Sequence, residues 1–241
     1  MTRHLLPRAA LAAIAFAALA AAPARAQEEP VPAGGGGFDI SATATIVSDY
    51  RFRGVSQSDR DPAAQGSIDV TIGGFHAAIW LSSIARFADT DVEADVYAGY
   101  AGEAGPIEYE VGAIAYLYPG GDGTGNVYEG TGSLAYMIGP ASARLRVHYA
   151  PGQENLAGDN LYLSAEGRFS IPATPVTLFA GAGRERGSFH GRKWDWSFGL
   201  EATQGPVTAS LGYFDTNLDG VASGLGRNVR GGLVGAVSFE F

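Results

Sequence analysis

Ala141-Ser142-Ala143-Arg144-Leu145-Arg146-Val147-His148-Tyr149 carries an apolar residue at every odd position and a polar one at every even position. Side chains along a β-strand alternate between its two faces, so this stretch is a strand with one greasy face and one charged face. The pattern recurs on both sides. Val92, Ala94, Val96, Ala98 and Tyr100 oppose Glu93, Asp95 and Tyr97. Trp194, Trp196, Phe198, Leu200 and Ala202 oppose Asp195, Ser197, Gly199 and Glu201. Phe38, Ile40, Ala42, Ala44 and Ile46 oppose Asp39, Ser41, Thr43 and Thr45, and at the far end Val229, Leu233, Val237, Phe239 and Phe241 oppose Arg230, Ser238 and Glu240. No 3.6-residue pattern competes with these alternations after Phe38.

Extending the rule along the chain predicts twelve strands, roughly 38–52, 66–73, 75–84, 92–101, 107–118, 127–138, 141–149, 160–169, 176–183, 194–203, 207–216 and 229–241. Their connections are of two kinds. Short Gly/Pro turns follow the even-numbered strands, at Gly73-Gly74, Gly102 to Pro106, Gly139-Pro140, Ser170 to Pro175 and Gln204 to Pro206. Longer polar loops follow the odd-numbered ones, at 53–65, 85–91, 119–126, 150–159, 184–193 and 217–228. A closed antiparallel up-and-down barrel has this rhythm when both chain ends lie on the short-turn side, and transmembrane barrels have short turns at one end and longer loops at the other. A secreted two-sheet sandwich also alternates, but its Greek-key connections mix lengths.

Composition agrees with a lipid-exposed sheet. The 241 residues are 46% hydrophobic yet only 17% charged, against about 25% in ordinary soluble domains. After residue 26 no apolar run approaches the ~18 residues of a spanning helix. In hydrocarbon every backbone N–H and C=O must be paired internally, and a closed sheet does this without leaving an edge. Its apolar face looks at lipid and its polar face into a lumen. Tyr50, Phe52, Trp80, Tyr100, Tyr109, Tyr118, Tyr149, Phe169 and Trp194 fall near strand ends, where interfacial girdles are expected.

The N-terminus reads as an address. Arg3 and Arg8, the apolar run Ala9 to Ala22 and Ala24-Arg25-Ala26 form the three parts of a cleavable export signal over residues 1–26. Residues 27–37, ending in four glycines, read as a flexible tether, which leaves 38–241 as the barrel. With no cysteine, disulfides and cysteine-ligated metals are excluded. A net charge of −9, more acidic still once the leader is gone, argues against nucleic acid as a partner.

Ser48-Asp49-Tyr50-Arg51-Phe52-Arg53-Gly54-Val55-Ser56-Gln57-Ser58, with Val96-Tyr97-Ala98-Gly99-Tyr100 and Tyr116 to Gly120, resembles the TorF family of outer-membrane porins. The resemblance extends over Phe38 to Phe241. It implies an outer-membrane channel with a link to small nitrogenous respiratory substrates. Val237, Phe239 and the terminal Phe241 look like the signal by which barrel-assembly machinery recognises its clients. The implied surroundings are outer-membrane lipid and lipopolysaccharide.

In such a barrel the inward charges form two patches. Glu93, Asp95, Glu108 and Glu110 lie on the fourth and fifth strands, and Arg144, Arg146, Glu166 and Arg168 on the seventh and eighth. Opposite signs across a corner of the lumen would orient dipolar or zwitterionic solutes, whereas direct pairing would plug it. Glu129, Asp195 and Glu201 add negative charge, so a conducting lumen should prefer cations. His148 is expected inward near the loop-side rim, and His190 on a loop beside Ser188. Without a G-x-S-x-G nucleophile motif these histidines point to lumen polarity rather than hydrolysis. The acidic pairs Asp59-x-Asp61, Asp89-x-Asp91 and Asp122-x-x-x-Asn126 lack the spacing of a calcium loop, and no cofactor motif is present. The alternative reading is a closed barrel that acts through its outer loops, and behind it stands an outer-membrane hydrolase.

Overall fold

The computed structural model describes residues 37–121, 123 and 125–241. The expected leader (1–26) and the tether up to residue 36 lie outside the described residues. The twelve expected strands are all present: β1 (Phe38–Val47), β4 (Ala63–Ile72), β5 (Phe75–Phe87), β6 (Thr90–Ala104), β7 (Ile107–Leu117), β8 (Val127–Ile138), β9 (Ala141–Ala150), β10 (Asn160–Ser170), β11 (Val176–Gly187), β12 (Gly191–Gln204), β13 (Val207–Thr216) and β14 (Gly232–Glu240). Each pairs antiparallel with its sequence neighbour, and β1 closes the ring against β14. Closure discards the sandwich. Two further short strands, β2 (Arg51–Phe52) and β3 (Val55–Ser56), pair only with each other.

Register fixes which way every side chain points. Directly opposed residues of an antiparallel pair share a face. Glu129 stands opposite Ile114, Thr131 opposite His148, His148 opposite Tyr162 and Gly183 opposite Asp195. Following such pairs round the ring puts all twelve candidate lumen residues on one face. The other face carries Phe38, Ile40, Ile68, Phe75, Val111, Leu145, Phe198 and Leu211, all more than 45% exposed. A large, continuous, exposed apolar face is unstable in water and stable against lipid.

Inward glycines do not leave voids. Tyr97 lies across Gly99 and Gly112, where an added Cβ would meet its ring carbon at 2.8 and 2.7 Å. Phe179 covers Gly199 and Gly212 in the same way, at 2.6 and 2.8 Å. A small residue here serves as a seat for an aromatic ring.

Four expectations need correction. The first strand ends at Val47 rather than continuing to Phe52. The loops expected at 85–91 and 184–193 shrink to tight turns, because β5, β6, β11 and β12 run on to Phe87, Thr90, Gly187 and Gly191. Their outermost residues are charged on both faces (Arg184, Glu185, Arg186, Arg192, Lys193), so the alternation that marks lipid contact fades before the hydrogen-bonded ladder ends. Val229, expected to open the last strand, instead ends a 3₁₀ turn (Gly226–Val229) that buries it, and the strand starts at Gly232. Tyr50 and Trp80, assigned to the girdle, are instead buried together inside, with ring centroids 5.2 Å apart. Tyr118 also leaves the girdle, its hydroxyl donating to Glu93 at 3.2 Å.

Candidate functional site: the lumen and its inward hairpin

The stretch from Ser48 to Ser58 turns into the barrel. Tyr50, Arg51, Val55, Ser56 and Ser58 are all buried. Its shape follows from local chemistry. Arg53 and Gly54 have φ of 48° and 83°, the two left-handed residues of a tight hairpin turn between β2 and β3. Gly54 is obligatory on space as well as on φ, since a Cβ there would lie 2.8 Å from Asp195 Cβ and from the Asp215 carbonyl oxygen. Asp49 ties the two arms, accepting from Arg51 Nε at 2.8 Å and from Ser56 Oγ at 2.6 Å. Tyr50 packs with Val47, Ala63, Trp80, Val234 and Ala236 and so glues the hairpin to the β1–β4–β14 wall.

The tip crosses the lumen. Arg53 Nη2 donates to Glu129 on β8 at 2.6 Å, and Nη1 donates to Glu185 on β11 at 2.9 Å. Its guanidinium also lies over the rings of Tyr162, Phe52 and Phe189, at 4.3, 4.6 and 5.8 Å. Lys193 Nζ donates to the Arg53 carbonyl at 2.6 Å and sits 3.2 Å from Glu185 and 3.7 Å from Asp195. Asn160 donates to Glu185, Tyr116 to Glu129 and Tyr162 to Asp195. His148 Nδ1 lies 3.3 Å from Glu129, and His190 Nδ1 lies 2.8 Å from Glu185. The Arg53, Glu129, Glu185 and Lys193 side chains are at most 5% exposed. Charges this dry persist only when each has several partners.

The short-turn half of the lumen is wetter. Arg144 Nη2 is 3.7 Å from Glu108, and Arg146 Nη1 is 3.7 Å from Glu166. Arg168 bridges Glu166 at 3.2 Å and Glu201. His76 lies between Asp69 at 3.3 Å and Glu110 at 3.8 Å, and Tyr97 donates to Glu110. The Glu108 and Glu166 side chains are 28% and 29% exposed. The two patches expected to face each other across a corner therefore touch: Glu108 on β7 reaches Arg144 on β9 over the intervening β8. Glu93 and Asp95 lie on the loop side, beneath Tyr50 and Trp80, and are buried.

Sequence reading missed Arg51, Arg53, Glu185 and Lys193. Glu185 and Lys193 keep the inward parity of Gly183 and Asp195, and following that parity past the last lipid-facing residue would have found them. Among the acidic pairs, Asp59 binds Arg227 and Asp89 binds Arg86, while Asp122 lies outside the described residues. At the C-terminus Val237 and Phe239 face outward, Phe239 and Phe241 rings meet at 4.8 Å, and Phe241 N donates to the Ala42 carbonyl at 2.9 Å.

Residues 32–234 match the family described as "Bacterial protein of unknown function (Gcw_chp)". The chain belongs to that family. No curated protein matches this Gcw_chp chain in sequence. Its barrel is similar to a NanC porin, with a TM-score of 0.54 over 84% of this chain and 99% of the porin, at 15% identity. A membrane protein crystallised in meso gives 0.53 over 83% of each chain, at 9% identity. OmpF of Salmonella typhi gives 0.49 over 85% of this chain and 97% of its own, at 6% identity. At 15% and 9% identity the likeness to the first two is one of fold alone.

Proposed function

We propose that this Gcw_chp barrel sits in the outer membrane and forms a narrow channel for passive diffusion of small hydrophilic solutes, cationic or zwitterionic ones being favoured. The observation that carries the reading is the inside-out polarity: an apolar outer face and a charged inner one whose short-turn half is solvated. The export signal at residues 1–26, the terminal Val237, Phe239 and Phe241, and the resemblance to the TorF family support the same address and activity. Carboxylates outnumber basic groups on the inner walls, Glu93, Asp95, Glu110 and Glu129 among them, which supports attraction of cations. Outer-membrane lipid and lipopolysaccharide would surround the barrel, and assembly machinery would insert it.

The inward hairpin favours a second reading, a barrel closed to solutes that works through its outer loops. Liposome swelling separates the two. A channel admits small amino acids and amines faster than sugars of larger cross-section; liposomes that do not swell with any solute of the panel would sink the channel. Bilayer recordings then read selectivity, and an anion-selective reversal potential would overturn the cation preference.

A further inference from the structure

The surroundings of Arg53 are those of a ligand site. Two carboxylates from strands three places apart in the ring, β8 and β11, accept its two terminal nitrogens, and the Tyr162 ring of β10 lies against it. Carboxylate forks and aromatic faces are the two groups that recognise a planar cation. All but Phe52 belong to the barrel or to its β11–β12 turn, so the site stays when the hairpin moves. Glu129 Oε1 is buried without a hydrogen-bond partner, which leaves an acceptor that Arg53 does not use. Without Arg53, the site holds Glu129, Glu185 and Asp195 against Lys193, and its field favours a cation.

We infer that this cage is the binding site for a guanidinium-bearing solute and that Arg53 is its tethered internal occupant. A buried charge cluster stabilises a fold poorly, and packed apolar residues in its place are often as good. The tip is held by this guanidinium and by Lys193, which donates to the Arg53 carbonyl, and a solute that replaces the guanidinium removes the side-chain half of that hold. A solute with the same head group takes over both carboxylates and the ring, the hairpin is released, and the path past it opens. The inference rests on the channel reading for its consequence but not for its binding chemistry.

The test uses the full-length barrel refolded in detergent micelles, with Arg53→Ala and Arg53→Gln. Guanidinium chloride at low millimolar concentration is the probe; urea, which has the same planar shape without charge, and sodium chloride are the controls. Guanidinium should raise the melting temperature of both variants saturably, by about 3 °C at roughly tenfold over its dissociation constant, and act on the wild type only at higher concentration, where it must first displace Arg53. If a variant fails to refold, its refolding yield with guanidinium against urea replaces the melting reading. Equal responses to guanidinium, urea and sodium would overturn the cage. Bilayer conductance is measured separately: silence from wild type and variants sinks the channel reading while the thermal shift still reports on binding.

Discussion

The loop-side and turn-side halves of the lumen are built from the same residue types, arginine, glutamate and histidine, and they spend them differently. On the loop side the hairpin delivers Arg53 into a space walled by aromatic rings, and the carboxylates that meet it are fully buried. On the turn side the arginines project from the strands themselves, and Glu108 and Glu166 keep more than a quarter of their surface exposed, while Glu201 is buried. Water decides what each ion pair is worth. A pair in high dielectric contributes little to stability and remains free to deal with passing ions; a pair in a dry space has surrendered its hydration and must stay complete. On the channel reading one half of the barrel is therefore a closure and the other a vestibule.

The contrast breaks most sharply at Glu185. This carboxylate accepts from Arg53, Asn160 and His190 and faces Lys193 at 3.2 Å. Glu185→Ala leaves two buried cations without it and should cost about 3–5 kcal/mol in reversible urea unfolding from micelles. Glu166→Ala, between two solvated arginines, should cost under about 1 kcal/mol. Equal losses would mean that the two halves are equally wet.

Gly54→Val comes next. It adds a branched side chain at φ 83° where a Cβ already meets the Asp215 carbonyl oxygen at 2.8 Å. Strain of about 1–3 kcal/mol is expected from the backbone alone, and the clash is with main chain that cannot step aside. The twelve-stranded ring does not depend on this residue. The expected result is an unchanged β-sheet circular dichroism spectrum with raised single-channel conductance, since the hairpin must lift; unchanged conductance would show that it is not the obstruction.

The architecture was legible because lipid on one side and water on the other impose a two-residue period along the wall strands. Ala141 to Tyr149 and Trp194 to Ala202 needed only that rule. The same rule hid the hairpin. Tyr50 and Phe52 continue the even-numbered apolar series of Phe38 to Ile46, and Asp49 and Arg51 the polar one, so the strand reads on through the point where the chain leaves the wall. The period reports that a residue alternates, not which sheet it alternates in. The remaining signal was Arg53-Gly54, and it was weak because arginine is an unusual occupant of a left-handed turn position. Of the candidate site, the turn-side charges were readable from parity. The cage was not, since Arg53 joins Glu129 and Glu185 across the lumen, a contact with no local pattern.

Arg168→Gln probes the vestibule by function rather than stability. Arg168 holds the part-exposed Glu166 and the buried Glu201, and its loss leaves both carboxylates without this cation. The stability cost should exceed that of Glu166→Ala, because Glu201 is buried, while the reversal potential in a salt gradient should move toward cations. A shift toward anions would place the permeation path elsewhere.

The smallest effect belongs outside the barrel, where Asp59 and Arg227 join the first and last long loops. The pair is bidentate, with Arg227 Nη2 at 2.8 Å and Nε at 3.1 Å from the carboxylate, and both side chains are half exposed. Asp59 and Arg60 hold φ of 56° and 66°, and Arg60 donates to the Arg230 carbonyl at 2.6 Å, so the clasp keeps two strained residues in place. The hydrogen bond from Arg227 holds the Asp59 carboxyl below the usual carboxylate range. A depressed acid stabilises the clasped loop fully above its unfolded value and loses that contribution as the pH falls through the folded one. Protease nicking within 217–231 should thus be slow at neutral pH, faster below about pH 4 and faster in high salt, which screens an exposed pair. Asp59→Asn should show the acid rate already at pH 7, with no change in barrel unfolding or in the Arg53 cage. If nicking instead tracks global unfolding, the clasp is part of the closure and the boundary between the two halves lies further out than the hairpin.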